Sequence, residues 1–217
     1  MKKTVFGIAA VCVLSMGSAA GWASDHVSTA TPFWVFPADP PAGNTKVVRS
    51  PRGIAAKFKT TGLSPGHVMT LWVMFFNNPD ACVTPGACQL IPEDLFNPAT
   101  GFDFHYAGGR IVNGNRTTIS GFLQVGELST SGAAELVAIG GWPAEFVTPL
   151  TNPLGAQVIL AVHSHGPAQT GEALAAQLSS YLGGCVLPFL GVGGFATSPS
   201  DIPANTGECS TIQIAFH

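Results

Sequence analysis

The alternation of apolar and polar residues along the chain predicts a series of short β-strands. Residues 53–60 place Ile54, Ala56 and Phe58 opposite small or charged neighbours, and this period of two is typical of a strand with one buried face. Residues 67–76 and 156–163 are apolar on both faces, which predicts central strands that are covered on both sides. The same criteria predict further strands at 102–107, 109–112, 117–125, 132–139 and 212–217, one helical turn at 92–96 and one helix at 172–181.

Turns and loops rich in glycine and proline separate these elements, and the chain has 26 glycines and 17 prolines among its 217 residues. Many short strands punctuated in this way predict an all-β fold, namely an antiparallel β-sandwich or squashed barrel with long disulfide-stapled loops and one short helix. We assign a single β domain to residues 46–217. Residues 24–45 contain four prolines and the aromatic run 33–36, and we expect them to form an irregular arm laid against that domain.

The first 23 residues have the pattern of a secretory signal peptide. Lys2 and Lys3 precede a short apolar run, and small residues follow it. The run is too short to span a bilayer, and no later segment has 18 uncharged apolar residues, so we expect no transmembrane segment after signal removal. These features predict a secreted or periplasmic protein exported by a bacterium. Nine basic residues and a net charge of -3 argue against a nucleic-acid partner.

Four cysteines follow the predicted signal: Cys82, Cys88, Cys185 and Cys209. An even number in an exported chain indicates two disulfides, for which three pairings exist. We favour Cys82–Cys88 and Cys185–Cys209 because each closes a loop rich in proline and glycine. A zinc site made by all four thiolates is the alternative, but structural zinc sites use cysteine pairs separated by about two to four residues, and neither pair here has that spacing.

A His-x-His motif at the end of a predicted strand is the strongest candidate for chemistry. His163 and His165 leave the same face of a strand about 6.5–7 Å apart and could share one zinc or copper ion. His67 and His105 are the candidates for the third and fourth ligands. In the alternative interpretation, which we favour, the two rings bond to loop carbonyls and end the strand.

Catalytic patterns are weak in this chain. It has no Gly-x-Ser-x-Gly elbow between a strand and a helix, since the Gly-Leu-Ser-Pro-Gly sequence at 62–66 forms a predicted turn before the strand 67–76. Ser164 points to the face opposite its two histidine neighbours. Glu93 and Asp94 are explained by their place at a helix N-terminus. A third hypothesis, an enzyme of unknown class with a pocket between loops 77–101 and 186–208, has no catalytic residues to support it.

One stretch, residues 161–178, reads Ala-Val-His-Ser-His-Gly-Pro-Ala-Gln-Thr-Gly-Glu-Ala-Leu-Ala-Ala-Gln-Leu. It resembles the C-terminal signature of chordin-type (CHRD) domains, in which a strand ending in Val-His precedes a turn and the run Gly-Glu-Ile-Arg-Gly-Gln-Leu. The Gly-Leu-Ser-Pro-Gly turn at 62–66 resembles a second motif of that family, and the likeness covers about 25 residues. The matching positions of the first motif are Gly171, Glu172, Gln177 and Leu178, whereas Leu174 and Ala175 or Ala176 replace the arginine and second glycine.

Three short motifs, Phe-Asn-Asn-Pro before a cysteine, His-x-His-Gly-Pro and Gly-Gly-Cys, also resemble a set of exported bacterial β proteins. Both resemblances imply an all-β extracellular module with no assigned enzymatic activity. We therefore expect an exported, non-enzymatic β module that binds a surface or a protein partner. The alternative is a metal-binding protein that holds zinc or copper through its His-x-His motif.

Overall fold

The computed structural model describes residues 27–36, 41–185 and 209–217, so the predicted signal segment and the loop 186–208 lie outside the described residues. Strands and a few short helices make up the described part. The strands are β1 (Val27–Ala30), β2 (Phe33–Trp34), β3 (Asn44–Ser50), β4 (Gly53–Thr61), β5 (His67–Phe76), β6 (Phe102–Ile111), β7 (Arg116–Gln124), β8 (Gln157–Pro167) and β9 (Ser210–Phe216). The α-helices are α1 (Pro92–Leu95), α2 (Gly132–Ala138) and α3 (Gly171–Ser179), and three 3-10 turns lie at Pro79–Ala81, Pro98–Thr100 and Ala144–Phe146.

Two antiparallel sheets pack face to face. One has the strand order β1-β3-β4-β7 and the other the order β2-β9-β8-β5-β6. Apolar residues that alternate along the strands meet between the sheets and form an inner core, which includes Ile54, Phe58, Leu71, Phe75 and Leu160. The predicted all-β sandwich is thus confirmed.

The five-stranded sheet is covered on its second face as well. Trp72, Met74 and Ile159 point away from the inner core and pack, with other residues of this outer layer, against α2 and the loop that contains Cys82 and Cys88. Strands β5 and β8 are consequently buried on both sides, with nine of ten and ten of eleven residues buried. This explains why neither strand shows the alternation of polar and apolar residues, and it confirms the prediction of two central strands.

The segment 132–139 is a helix rather than the predicted strand. Ser131 caps it, because the Ser131 hydroxyl accepts a hydrogen bond from the backbone N–H of Ala134 at 3.0 Å. Its buried residues are Gly132, Ala133 and Leu136, and the last two, three residues apart, lie on one helical face. Of the three short α-helices in the described residues, α1 matches the helical turn predicted at 92–96, α3 matches the helix predicted at 172–181, and α2 was not predicted. The predicted strands 102–107 and 109–112 are one continuous strand, β6.

The arm expected at 24–45 is more regular than its prolines suggested. Its described residues include β1, which pairs with β3, and β2, which pairs with β9. Phe33 of β2 stacks on Phe216 with 5.9 Å between ring centroids. The arm thereby adds a strand to the edge of each sheet.

Both favoured disulfides are present. Cys82 is bonded to Cys88 and Cys185 to Cys209. The first closes part of the loop between β5 and β6, and the second joins the end of the α3 region to the start of β9.

Candidate functional site

The end of β8 places two imidazoles beside the Cys185–Cys209 disulfide. The rings of His163 and His165 share the outer face of the sheet and meet edge to face, with 5.0 Å between centroids. One nitrogen of each histidine and the two sulfurs all lie within 4.8 Å of one another. We call these four residues the histidine–disulfide cluster; three of them are buried, and Cys185 is half-buried.

The hydrogen bonds of His165 define its neutral tautomer. Its Nδ1 lies 2.8 Å from the carbonyl oxygen of Gly183, which can only accept, so Nδ1 carries the proton. Its Nε2 lies 2.9 Å from Thr70 Oγ1, and that hydroxyl also accepts from Trp72 Nε1 at 2.8 Å. The Thr70 hydroxyl therefore donates to Nε2. The bond from His165 Nδ1 to the Gly183 carbonyl is the contact expected if the two rings bond to loop carbonyls and end the strand.

His163 is less well satisfied than its neighbour. Its Nδ1 lies 3.2 Å from Thr211 Oγ1, and its ring stacks on Tyr181 with 4.5 Å between centroids. Its Nε2 is buried and has no hydrogen-bond partner among the described residues. A buried imidazole nitrogen without a partner is uncommon in folded proteins and is a destabilising feature.

Burial keeps this group of side chains uncharged. It holds the pKa of His163 well below the ordinary value, with a further lowering from the neighbouring His165. Burial lowers the pKa of His165 to about 4 and raises the pKa of Tyr181 to about 12. Both imidazoles and the phenol are therefore neutral at physiological pH, the form in which imidazole binds metal ions.

The two other histidines expected at this site lie elsewhere. His105 faces the inner core, where its ring lies 5.4 Å from that of Phe75 and its Nε2 lies 3.4 Å from the Asp103 carboxylate. It sits on the face of the sheet opposite to His163, because Asp103 and His105 alternate with the outer-layer residue Phe104. His67 begins β5 opposite Pro167 and does not belong to the cluster. The structure assembles two histidines with two cysteines rather than four histidines.

A second feature of the outer layer is an apolar cavity of about 170 Å³. Its floor is the outer face of β5 and β6, and its walls come from the loop before β6, from α2 and from the segments after α2 and α3. The lining residues are Met74, Leu90, Pro92, Leu95, Phe96, Phe102, Phe104, Leu136, Trp142 and Tyr181. Tyr181 thus lies between the cavity and His163.

Buried polar contacts hold the walls of the cavity against the sheet. The Asp94 carboxylate accepts from the backbone N–H groups of Val83 and Gln89, both at 2.7 Å. The Gln157 side chain accepts from the Cys88 N–H and donates to the Cys88 carbonyl, both at 2.7 Å. These bonds, with the Cys82–Cys88 disulfide, fix the loop in one position, so the cavity is preformed.

On the opposite wall, the Glu135 carboxylate of α2 accepts from the N–H groups of Tyr181 and Leu182 at 2.9–3.1 Å. Burial raises the pKa of this carboxyl, and the hydrogen bonds partly offset that effect. Sequence patterns did not indicate these residues as parts of a site, because Glu135, Tyr181 and Trp142 come together only when α2 and the end of α3 pack on the same sheet. A half-buried glutamate near an aromatic residue has no periodic signature.

Fold and site together define a two-sheet antiparallel β-sandwich whose outer layer carries an aromatic cavity and a histidine–disulfide cluster. Comparison of the chain with protein-family models, curated proteins and solved structures finds no match. In the part of the chain that the structure describes, the helices are too short or too polar to cross a bilayer.

Proposed function

We propose that this chain is an exported, non-enzymatic β module that binds a ring-sized apolar group in its aromatic cavity. The group is either a small free molecule or an aromatic side chain presented by a protein partner or surface. The observation that carries the proposal is the cavity of about 170 Å³ in the outer layer.

The size and lining of the cavity support this class of ligand. An engineered apolar cavity of about 150 Å³ in another protein stays dry and binds benzene, so the present volume suits a single ring. Phe96, Phe102, Phe104 and Trp142 present aromatic surfaces, and aromatic rings prefer edge-to-face or offset contacts with one another. A single-ring hydrocarbon or phenyl group can adopt such contacts here.

The chemistry of the lining supports binding rather than catalysis. Tyr181 is the one titratable side chain among the ten described lining residues, and its pKa of about 12 keeps it protonated. General acid–base catalysis requires a group whose pKa lies near the working pH. The cavity therefore offers apolar contact and no proton-transfer group.

Export is supported by the cysteine chemistry and by the N-terminal sequence pattern. Two disulfides are typical of secreted and periplasmic proteins and rare in the cytosol. The basic start, short apolar run and small residues of the first 23 positions fit a signal peptide. The net charge of -3 agrees with a partner other than nucleic acid.

Calorimetric titration with toluene tests the proposal directly. We expect saturable binding of one toluene per chain, with a negative heat-capacity change from apolar burial. The variant Leu136→Phe, which extends a ring into the cavity, should abolish binding. The matched control Leu128→Phe adds the same ring at an exposed position, 43% exposed, and should bind as the wild type does.

A parallel titration with N-acetyl-phenylalaninamide distinguishes the two sources of the ring. Binding of this probe as well as toluene indicates a cavity open to a partner's side chain, whereas binding of toluene alone indicates a small-molecule site. Failure of both probes to bind, or equal binding to the wild type and the folded Leu136→Phe variant, would contradict the proposal.

A further inference from the structure

We propose that the histidine–disulfide cluster becomes a tetrahedral zinc site when the Cys185–Cys209 bond is reduced. The ligands are the two thiolates, Nε2 of His163 and Nδ1 of His165. This function is independent of ligand binding in the cavity. The fold brings these four donor residues together, whereas it does not bring together the four histidines that the sequence predicted as ligands.

The donor set and its spacing fit zinc. Two thiolates and two imidazoles are a common tetrahedral ligand set for Zn²⁺, with Zn–S of about 2.3 Å and Zn–N of about 2.0–2.1 Å. These bond lengths place ligand atoms of a tetrahedron about 3.3–3.8 Å apart. One ring nitrogen of each histidine and the two sulfurs already lie within 4.8 Å of one another, and His165 Nδ1 is 3.8 Å from Cys185 Sγ and 3.7 Å from Cys209 Sγ. Adjustments of about 1 Å complete the tetrahedron once the sulfurs separate.

The unpartnered nitrogen of His163 is the second, independent observation. His163 is 1% exposed, and its Nε2 has no hydrogen-bond partner among the described residues. A metal ion at the cluster would satisfy this nitrogen. In the disulfide form this nitrogen has no hydrogen-bond partner among the described residues, which is destabilising. A role of His163 in ending the strand does not explain that unfavourable burial.

A buried threonine hydroxyl lies next to the non-ligating nitrogen of each histidine. Metal-bound histidines usually donate their second ring N–H to an oxygen, which orients the ring and fixes its tautomer. Thr211 Oγ1 lies 3.2 Å from His163 Nδ1, and Thr70 Oγ1 lies 2.9 Å from His165 Nε2. Zinc at His165 Nδ1 moves the ring proton from Nδ1 to Nε2, where Thr70 accepts it and the Gly183 contact is lost.

The chemistry of the change balances with an external dithiol as reductant. The dithiol gives two electrons and two protons, its own sulfurs form a disulfide, and the Cys185–Cys209 bond breaks to give two thiols. Zinc then displaces two protons from these thiols and binds two thiolates and two neutral imidazoles. Cys185 is half-buried and gives the reductant access to the bond.

Cobalt titration of the full chain tests the site, because Co²⁺ in a thiolate site gives a charge-transfer band that zinc lacks. The chain is reduced with a phosphine, freed of reductant under anaerobic conditions and titrated with Co²⁺, then with Zn²⁺ as competitor. We expect one Co²⁺ per reduced chain with thiolate charge transfer and tetrahedral d–d bands, and no such spectrum from the oxidised chain. Zinc should displace the cobalt and abolish the bands.

Variants assign the ligands. His163→Ala should weaken Co²⁺ binding by at least tenfold, and Thr211→Val should weaken it by about 10–100-fold, the usual effect of losing the oxygen partner of a ligating histidine. The matched control His67→Ala, at the half-buried histidine outside the cluster, should bind as the wild type does. Cys82→Ser/Cys88→Ser, which removes the other disulfide, should also retain the cobalt spectrum.

Three outcomes would overturn the zinc site: no cobalt spectrum from the reduced and folded chain, an unchanged spectrum in Cys185→Ser/Cys209→Ser, or a spectrum lost in Cys82→Ser/Cys88→Ser. If reduction unfolds the chain, circular dichroism becomes the readout. Zinc must then restore the folded signal of the wild type and not that of His163→Ala, and a failure to do so counts equally against the proposal. Toluene binding by the oxidised chain is unaffected by either result.

Discussion

A buried arginine and a buried histidine belong to one chain of hydrogen bonds. Arg49 donates to Ser28 Oγ at 3.0 Å, and Ser28 Oγ lies 3.0 Å from His217 Nδ1. His217 Nε2 lies 2.8 Å from Thr45 Oγ1, which donates to the Ala30 carbonyl. Thr45 gives its single proton to that carbonyl, so His217 carries its proton on Nε2 and accepts from Ser28. Protonation of His217 would place a second proton on Nδ1, which could then no longer accept the hydrogen bond from Ser28.

We predict that His217 makes the fold sensitive to mild acid. Burial and the Arg49 charge lower the pKa of His217 from 6.5 to about 4. The contribution of neutral His217 to the free energy of unfolding is complete above pH 6.5 and is lost as pH falls towards 4. In that window the unfolded chain takes up a proton at this histidine and the folded chain does not. A shift of this size corresponds to roughly 3 kcal/mol. Urea unfolding of the wild type and His217→Gln between pH 4 and 8 measures the effect.

The difference in unfolding free energy between the two proteins should shrink by about that amount across the window. The remaining histidines are common to both proteins and cancel in the difference. Parallel stability profiles for the wild type and His217→Gln would show that this imidazole is not responsible.

Ser131 joins a helix cap to a buried carboxylate. Its hydroxyl accepts from the Ala134 N–H and donates to Asp103, which is fully buried. Ser131→Ala should therefore cost about 1–3 kcal/mol, since it removes a cap and one of the donors to a buried anion. Ser120→Ala, at an exposed serine of β7, is the control and should change the unfolding free energy by less than about 0.5 kcal/mol. Equal effects of the two substitutions would contradict the assigned role.

At the scale of the elements, β5 and β8 carry the two layers of the molecule. Leu71 and Leu160 are fully buried in the inner core, and the neighbouring positions Trp72 and Ile159 are fully buried in the outer layer. Either strand thus contributes apolar surface to both sides at once. Packed layers on both sides keep the two faces of each strand from water, as an uninterrupted apolar strand requires.

We predict that Leu71→Ala and Leu160→Ala each destabilise the fold by roughly 2–5 kcal/mol, because partial collapse around the lost side chain leaves a cavity. Phe122→Ala, at a residue of β7 that is 50% exposed, should cost much less. Guanidinium denaturation of the three variants provides the comparison. Losses below about 0.5 kcal/mol at both leucines would mean that the strands are not central.

Elements with a clear period or a long apolar run could be predicted from the sequence, but the elements that pack against them could not. The apolar run 67–76 matches β5, and the period of two placed His163 and His165 on one face. Whether the two cysteines lie beside these histidines depends on the pairing of β8 with its neighbours and on two register shifts. One shift lies between His67 and Met69 of β5, where β5 pairs with β8, and the other lies between Val162 and His163 of β8, where β8 pairs with β9. Such irregularities leave no signal in the apolar pattern, so the sequence predicts the disulfide and the histidine pair but not that the two lie together.

The segment at α2 shows a different limit. Residues 132–139 are short and apolar, and neither length nor composition separates a buried strand from a buried helical turn in such a run. The deciding interaction is the Ser131 cap, whose orientation depends on Asp103 of β6, 28 residues earlier. Tertiary contact therefore selected the helix.

At the scale of the whole molecule, the outer layer packs on the five-stranded sheet, and hydrogen bonds hold it there at several positions. Asp94, Gln157 and Glu135 fix its loops by hydrogen bonds to backbone groups. Tyr181 belongs to both candidate sites, since it lines the cavity and stacks on His163. The features with proposed functions thus lie on one side of the five-stranded sheet, while the four-stranded sheet closes the inner core.

The two disulfides join residues at different separations along the chain. We predict that the disulfide with the larger separation contributes more to the free energy of unfolding. Cys82–Cys88 spans a sequence separation of 6 and Cys185–Cys209 one of 24. Loop-closure entropy then gives about 2.4 kcal/mol for the first and about 3.5 kcal/mol for the second. The Asp94 and Gln157 hydrogen bonds also hold the first loop without its disulfide, which lowers the cost of losing it.

Urea unfolding of Cys82→Ser/Cys88→Ser and Cys185→Ser/Cys209→Ser, each as an oxidised protein at one pH, measures both contributions. The second variant should lose about 1 kcal/mol more than the first, because the unfolded chain gains more freedom when the longer loop is released. A larger loss in Cys82→Ser/Cys88→Ser would show that the loop wall of the cavity depends on its disulfide rather than on the buried carboxylate and amide. In that case Asp94→Asn should reduce the free energy of unfolding of Cys82→Ser/Cys88→Ser only slightly further. If the Asp94 hydrogen bonds hold the loop without its disulfide, Asp94→Asn should reduce that free energy by a further amount of about 1–3 kcal/mol.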